Sequence, residues 1–242
     1  MANLHITIAI NDQLQRKHEE NQLKALEVVD RVAAKIAPGR PPSFAGAHVV
    51  KALEDISDSG AMGRLNLSKD LCLGEGETRT LVRHLKNERL IEVSRSGISL
   101  SANGRKLLSS LRTLFSEQIE IPLTPLAVGP FNIAVRVIGM KGAVKYGLEQ
   151  RDAAIRAGAR GATTLVFTEQ RLVMPGTGER VSQSDSSITA SLSKLSLNED
   201  DVIIIGSANE KIEAELGVKT AVLELLKTRD RNNFRSERST AR

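Results

Sequence analysis

The chain has 242 residues, a net charge of +5 and 2% aromatic residues, with no tryptophan. That length accommodates two domains with aliphatic cores, and the shortage of aromatics argues against base stacking on single-stranded nucleic acid. The single cysteine, Cys72, excludes an internal disulfide and a cysteine-based zinc finger.

At the start of the chain, Leu4, Ile6, Ile8 and Ile10 alternate with polar or small residues and predict a short strand. A long polar helix follows from Asn11 or Asp12. Its second half carries an apolar stripe of Leu26, Val29, Val32, Ala33 and Ile36. Such a stripe suits a dimerisation arm or a cover for the domain behind it. Pro38 to Pro42 ends the helix in a stiff connector, where Arg40 could touch a phosphate. The opening residues lack the pattern of a signal peptide. No apolar run approaches the ~20 residues of a membrane span. A cytoplasmic protein is expected.

Ser43 is the predicted cap of a helix from Ala45 to about Ile56, with Val49, Val50, Leu53 and Ile56 inward and His48 in a structural role on its flank. Asn66 or Ser68 then caps a short helix containing Leu67, Leu71 and Leu73, in which Cys72 is expected to be buried. Gly74-Glu75-Gly76 forms a tight turn. A second helix runs from about Glu77 to Arg89, with Leu81, Val82, Leu85 and Leu90 on its buried face. Ile91 to Arg95 and Ile98 to Leu100 alternate around Ser96-Gly97 and predict a hairpin. Asn103 caps a last helix, Gly104 to Phe115.

This order is a helix-turn-helix followed by a wing. A helix with short polar and basic side chains on one face fits the major groove. Arg79 and Arg83 lie four residues apart and project side by side, so each can fork onto guanine O6 and N7. Thr78 and Thr80 suit a phosphate or a thymine methyl, Lys86 extends the basic face, and Arg95 sits where a wing meets the backbone or minor groove. The alternative is a solvated face, or a winged helix that binds protein.

Ile121-Pro122-Leu123-Thr124-Pro125 marks a boundary. Beyond it, strands are predicted at Asn132–Met140, Thr163–Phe167, Arg171–Met174 and Asp201–Gly206. Helices are predicted at Leu148–Ala157, Ser182–Leu195 and Glu210–Leu226. The alternation indicates an α/β or α+β domain. The tail from Lys227 is basic and expected to be disordered, adding nonspecific affinity for DNA.

No nucleophile elbow, Walker loop or metal-ligand spacing occurs, and no histidine follows His84. No enzymatic activity, metal or cofactor is expected. General acid–base chemistry would fall to Glu149, Asp152 or the run Glu199-Asp200-Asp201, which reads more simply as a polar turn. A helix starting near Gly147 favours anions. Lys141, Lys145, Gln150 and Arg151, with Thr163 and Thr164 opening the next strand, are therefore candidates for binding a phosphate- or carboxylate-bearing effector. The opposing reading pairs Glu149, Arg151 and Asp152 with each other.

GRPPSF, LGEGETRTLVRHLKNERLI, YGLEQRDAAIRAGARGATTLVF and DVIIIGSAN together resemble an archaeal family of winged-helix transcription regulators with an uncharacterised C-terminal domain. The resemblance covers about Gly39 to Leu226. It implies a DNA-binding regulator with a sensing or oligomerising second domain. The expected organisation is a strand and helical arm (1–38), a winged helix-turn-helix (39–120), a C-terminal α/β domain (121–227) and a basic tail (228–242), an α+β chain overall. The expected partners are double-stranded DNA, a second copy in a homodimer and an anionic small molecule. The alternative is a small-molecule-binding or enzymatic domain with the winged helix as a protein-docking module.

Overall fold

The computed structural model describes residues 20–34, 43–181 and 186–240, with side chains for all of these except 186, 187, 189 and 229–240. The expected N-terminal strand, the first turns of the long helix and the Pro38–Pro42 connector lie outside these residues.

Helix α1 (20–33) buries Gln22, Ala25, Leu26, Val29 and Val32, one stripe at three- and four-residue spacing. It lies on the domain that follows it. Gln22 Nε2 donates to Thr113 Oγ1 at 3.3 Å, and Arg31 pairs with Glu88 at 3.1 Å.

Helix α2 (Gly46–Ser59) begins three residues after Ser43, which does not cap it; His48 Nδ1 instead accepts the Ala45 N–H at 3.1 Å. Burial holds the His48 imidazole below its ordinary pKa, so it serves as a neutral, structural acceptor. Helix α3 (Arg64–Asp70) and helix α4 (Glu75–Asn87) both start behind a glycine, Gly63 and Gly74. Asn66 and Ser68 are therefore inside α3 rather than at its cap. Ser68 Oγ donates to Leu73 O at 2.6 Å and ties down the turn between the helices. Cys72 sits in that turn, exposed and with φ of 52°, not buried in a helix.

Strands β1 (Ile91–Ser94) and β2 (Gly97–Leu100) form the expected hairpin. Met62, ahead of α3, bridges Ile98 through two backbone hydrogen bonds of 2.8 and 2.9 Å. Gly97 is confined there, because a Cβ would stand 2.8 Å from Met62 O. Helix α5 (Ala102–Arg112) is capped by Ser101, whose Oγ accepts from Gly104 N, in place of the expected Asn103.

The C-terminal half is a five-stranded sheet in the order β3-β4-β7-β5-β6, with every neighbouring pair antiparallel. Its strands are β3 (Ile119–Ile121), β4 (Phe131–Val137), β5 (Gly161–Thr168), β6 (Arg171–Val173) and β7 (Val202–Ala208). The fold is α+β, as expected; the antiparallel pairing removes the α/β option. The edge strand β3 precedes the prolines that mark the expected boundary. The Phe115–Val137 bridge joins the end of the winged helix to the sheet even earlier.

Helices α6 (Leu148–Arg156) and α8 (Lys211–Thr240) cover one face, and α7 (Ser186–Ser193) lies on the other. α8 comes close enough to β7 that a Cβ on Gly206 would stand 2.7 Å from Ala214 O. The backbone from Lys227, expected to be a disordered tail, continues α8 to Thr240. That stretch contains no glycine or proline to stop a helix already propagating.

α8 also joins the two halves. Ala214, Val218, Ala221 and Leu225 are fully buried along it. Every fourth residue of another stripe reaches the N-terminal half. Glu215 pairs with Lys51 and Lys219 with Glu54, both at 2.7 Å; Leu223 meets Gly46; Lys227 pairs with Asp30 at 2.7 Å. One apolar cluster therefore runs from α1 through α2 and α8 to one face of the sheet, and a second lies on its other face.

Candidate nucleic-acid interface

The inner side of α4 is fixed by buried contacts. Leu81 and Leu85 are fully buried. His84 Nδ1 lies 2.8 Å from Val32 O, and its ring meets Phe44 edge-on with centroids 5.5 Å apart. These contacts orient the helix, so its outer stripe is fixed as well. Arg79, Arg83 and Lys86 are exposed on that stripe, and none of the three has an ion-pair partner among the described residues. α8 of the C-terminal half packs on α2 of the winged helix.

Thr78 is not part of this surface. It is fully buried, and its Oγ1 donates to Gly74 O at 3.0 Å, closing the first turn of α4. The expectation that it touches DNA is corrected: one residue before Arg79 turns it through about 100° onto the buried face. Thr80 is half-buried and its Oγ1 donates to Gly76 O at 3.0 Å. Arg95 is exposed at the hairpin tip, where Ser94 and Ser96 bond each other at 2.7 Å and shape the turn.

Glu75, in the first turn of α4, is exposed, whereas Glu77 and the C-cap residue Glu88 are engaged. Glu77 Oε2 accepts from Gly74 N at 3.0 Å and so caps the helix start. Glu88 is paired with Arg31. Sequence reasoning missed Arg64 and Lys69, which are exposed on α3. Their spacing away from the buried Leu67, Ser68 and Leu71 was the available signal. Cations on the first helix of this motif face the phosphate backbone when the second lies in the groove.

The expected anion pocket in the second half does not assemble. Thr163 and Thr164 are consecutive on β5 and point to opposite faces of the sheet. Thr163 Oγ1 donates to Leu126 O, whereas Thr164 lies beneath Gly147, whose Cβ would stand 2.8 Å from the threonine Cβ. Gln150 is on the buried face of α6. Lys141 is drawn to Asp200 at 3.1 Å and to Thr168 Oγ1 at 2.9 Å. Arg151 pairs with its own neighbour Asp152 at 3.0 Å, and Lys145 is exposed apart from them. Of the candidate carboxylates, Asp201 is buried and pairs with Arg136 at 2.6 Å. No group of three or more metal-ligating residues occurs among the described residues.

Residues 49–115 match the family model of the CggR N-terminal DNA binding domain, and residues 128–225 match that of a domain of unknown function, DUF4443. Among solved structures, a hypothetical protein from Pyrococcus horikoshii OT3 is 23% identical, with a TM-score of 0.58, covering 74% of this chain and 98% of its own. That likeness establishes a shared fold. No curated protein matches the chain. No helix among the described residues is long and apolar enough to cross a membrane. The chain is thus similar to the CggR N-terminal DNA binding domain over residues 49–115 and to DUF4443 over residues 128–225.

Proposed function

We propose that this protein is a cytoplasmic, non-enzymatic transcription regulator that binds duplex DNA as a homodimer, with α4 in the major groove. The observation that carries this reading is the unobstructed ridge of Arg79, Arg83 and Lys86 on a helix whose other side is locked in the core. Arg79 and Arg83 each read a guanine, Lys86 and Arg95 hold phosphates, and Thr80 contacts a methyl or a phosphate. One short helix offers three or four base contacts. Two copies on adjacent half-sites raise both affinity and specificity.

The C-terminal domain supplies sensing or dimerisation. Support comes from α8, which packs on one face of the sheet and is bonded to α2 through buried charges, so a shift in one half is felt in the other. A second reading, with the winged helix docking protein, draws on Leu65 and Val93, which are exposed at 57% and 53%. Selection of bound fragments from genomic DNA, followed by dimethyl sulfate footprinting, separates the two. Protected guanine N7 positions in two half-sites about one helical turn apart support the regulator. Failure to enrich any duplex favours the docking module.

A further inference from the structure

Helix α6 has one face packed in the protein and one left uncovered. It packs on α8 and β5, burying Gln150, Ala153 and Ala154. The approach to α8 is close, since a Cβ on Gly217 would stand 2.5 Å from the Ala159 Cβ. The opposite stripe is Leu148, Arg151, Asp152 and Ile155, and all four are exposed. Leu148 and Ile155 each stand 48% exposed. Val128, 54% exposed, extends this surface beside Arg151: the two side chains lie 3.3 and 3.9 Å from where a Gly161 Cβ would stand. Tyr146, two residues ahead of the helix, is exposed as well. Four of the nine large hydrophobic side chains exposed among the described residues thus lie in or next to one nine-residue helix. Scattered single residues of this kind are ordinary, whereas a cluster marks an interaction surface.

Charge decides what fits it. Seen down the helix axis, Leu148 and Ile155 lie about 20° apart on the centre line of the stripe. Arg151 lies roughly 50° to one side and Asp152 roughly 50° to the other, with Glu149 beyond Asp152. Arg151 and Asp152 meet through a single carboxylate oxygen, Asp152 Oδ1, which accepts from Nε at 3.1 Å and Nη2 at 3.0 Å. Asp152 Oδ2 and Arg151 Nη1 have no partner among the described residues. Two copies of α6 laid side by side in the same direction, about a twofold axis parallel to the helices, turn the Arg151 flank of each toward the Asp152 and Glu149 flank of the other. Leu148 then meets the partner's Leu148, and Ile155 the partner's Ile155. Laid in opposite directions, the twofold axis runs across the helices and like flanks meet, Arg151 against the partner's Arg151. The charges therefore select the parallel pair.

We propose that the outer face of α6 docks a second copy of this chain in parallel about a twofold axis, with Leu148 and Ile155 on the seam and Arg151 of each copy against the partner's Asp152. The proposal rests on the homodimer of the reading above and gives it a surface. A pair of helices about 14 Å long, rimmed by Val128, is a small interface of the reversible class.

The test measures the mass of the full chain without DNA by sedimentation equilibrium at up to about 100 µM, a range suited to that class. The parent should reach twice the 26.2 kDa of one chain. R151D and D152R should each weaken the dimer at least tenfold, with folding checked by circular dichroism. Mixed in equal amounts, the two variants should recover a one-to-one heterodimer, because the acid of one then faces the base of the other. I155E should abolish pairing in every combination. A monomeric parent overturns the proposal and the homodimer together, leaving the base reading by α4 in place. A dimeric parent that neither charge reversal weakens overturns the proposal alone and puts the twofold axis elsewhere. A mixture that stays monomeric overturns the parallel pairing of Arg151 with the partner's Asp152.

Discussion

Replacing Asp55 with asparagine should stabilise the protein at neutral pH, although Asp55 takes part in a salt bridge. Asp55 lies on α2, 3.3 Å from Lys51, near the buried joint with α8. Burial raises its carboxyl from 3.8 to about 6, Lys51 opposes the rise, and Asp70 and Glu215 add to it. Lys51 is held the other way: burial would lower its amine, but the Glu215 hydrogen bond and the Asp55 and Glu215 charges raise it. Glu215 is the closer partner, at 2.7 Å, so Lys51 keeps a counterion when Asp55 is neutral.

The folded state binds the Asp55 proton more tightly than the unfolded chain does. Its contribution is therefore complete below about pH 4 and is lost as pH rises through about 6. At about 1.4 kcal/mol per pH unit this amounts to roughly 3 kcal/mol. Solvent screening of a side chain that is 19% exposed reduces it to roughly 1–2 kcal/mol. Urea unfolding should find Asp55→Asn about equal to the parent at pH 4 and roughly 1–2 kcal/mol more stable at pH 7.5. A variant less stable than the parent at pH 7.5, or a difference that does not change with pH, would refute the reasoning.

Lys219→Met strands Glu54 and the Gln118 side-chain oxygen in the same joint, and unfolding should show a loss of about 3–5 kcal/mol. Thr78→Val should leave DNA affinity unchanged in a gel shift, while losing its hydrogen bond to Gly74 O costs about 1 kcal/mol in thermal or urea unfolding. Arg95→Ala should weaken selected and random duplexes alike, and salt titration should show a slope smaller by about 1.

Much of the fold was legible because its elements bury regular stripes. Leu81 and Leu85 on α4, and the run Val202 to Ile205 on β7, announce a helix face and a buried strand on spacing alone. What was missed carries little local signal. Met62 adds to the wing through a single bridging residue, and β3 spans three residues beside a proline-rich turn. Gly63 and Gly74 cap their helices without a side chain to mark the start, which led to Asn66 and Ser68 instead. The grouping of Thr163 with Thr164 overlooked strand alternation, which was readable in principle. The stripe Glu215, Lys219, Leu223 and Lys227 was visible as spacing, but its partners lie up to 197 residues away in sequence.

The central claim is that the outer stripe of α4 reads base sequence. The most direct measurement compares the affinity of the intact protein and of R79A/R83A for a genomically selected duplex and for a scrambled one. The account predicts that the double variant remains folded, keeps weak salt-sensitive binding to both duplexes, and loses at least about thirtyfold of the preference for the selected site, as two bidentate contacts at about 1–3 kcal/mol each require. A preference that survives both substitutions would contradict it.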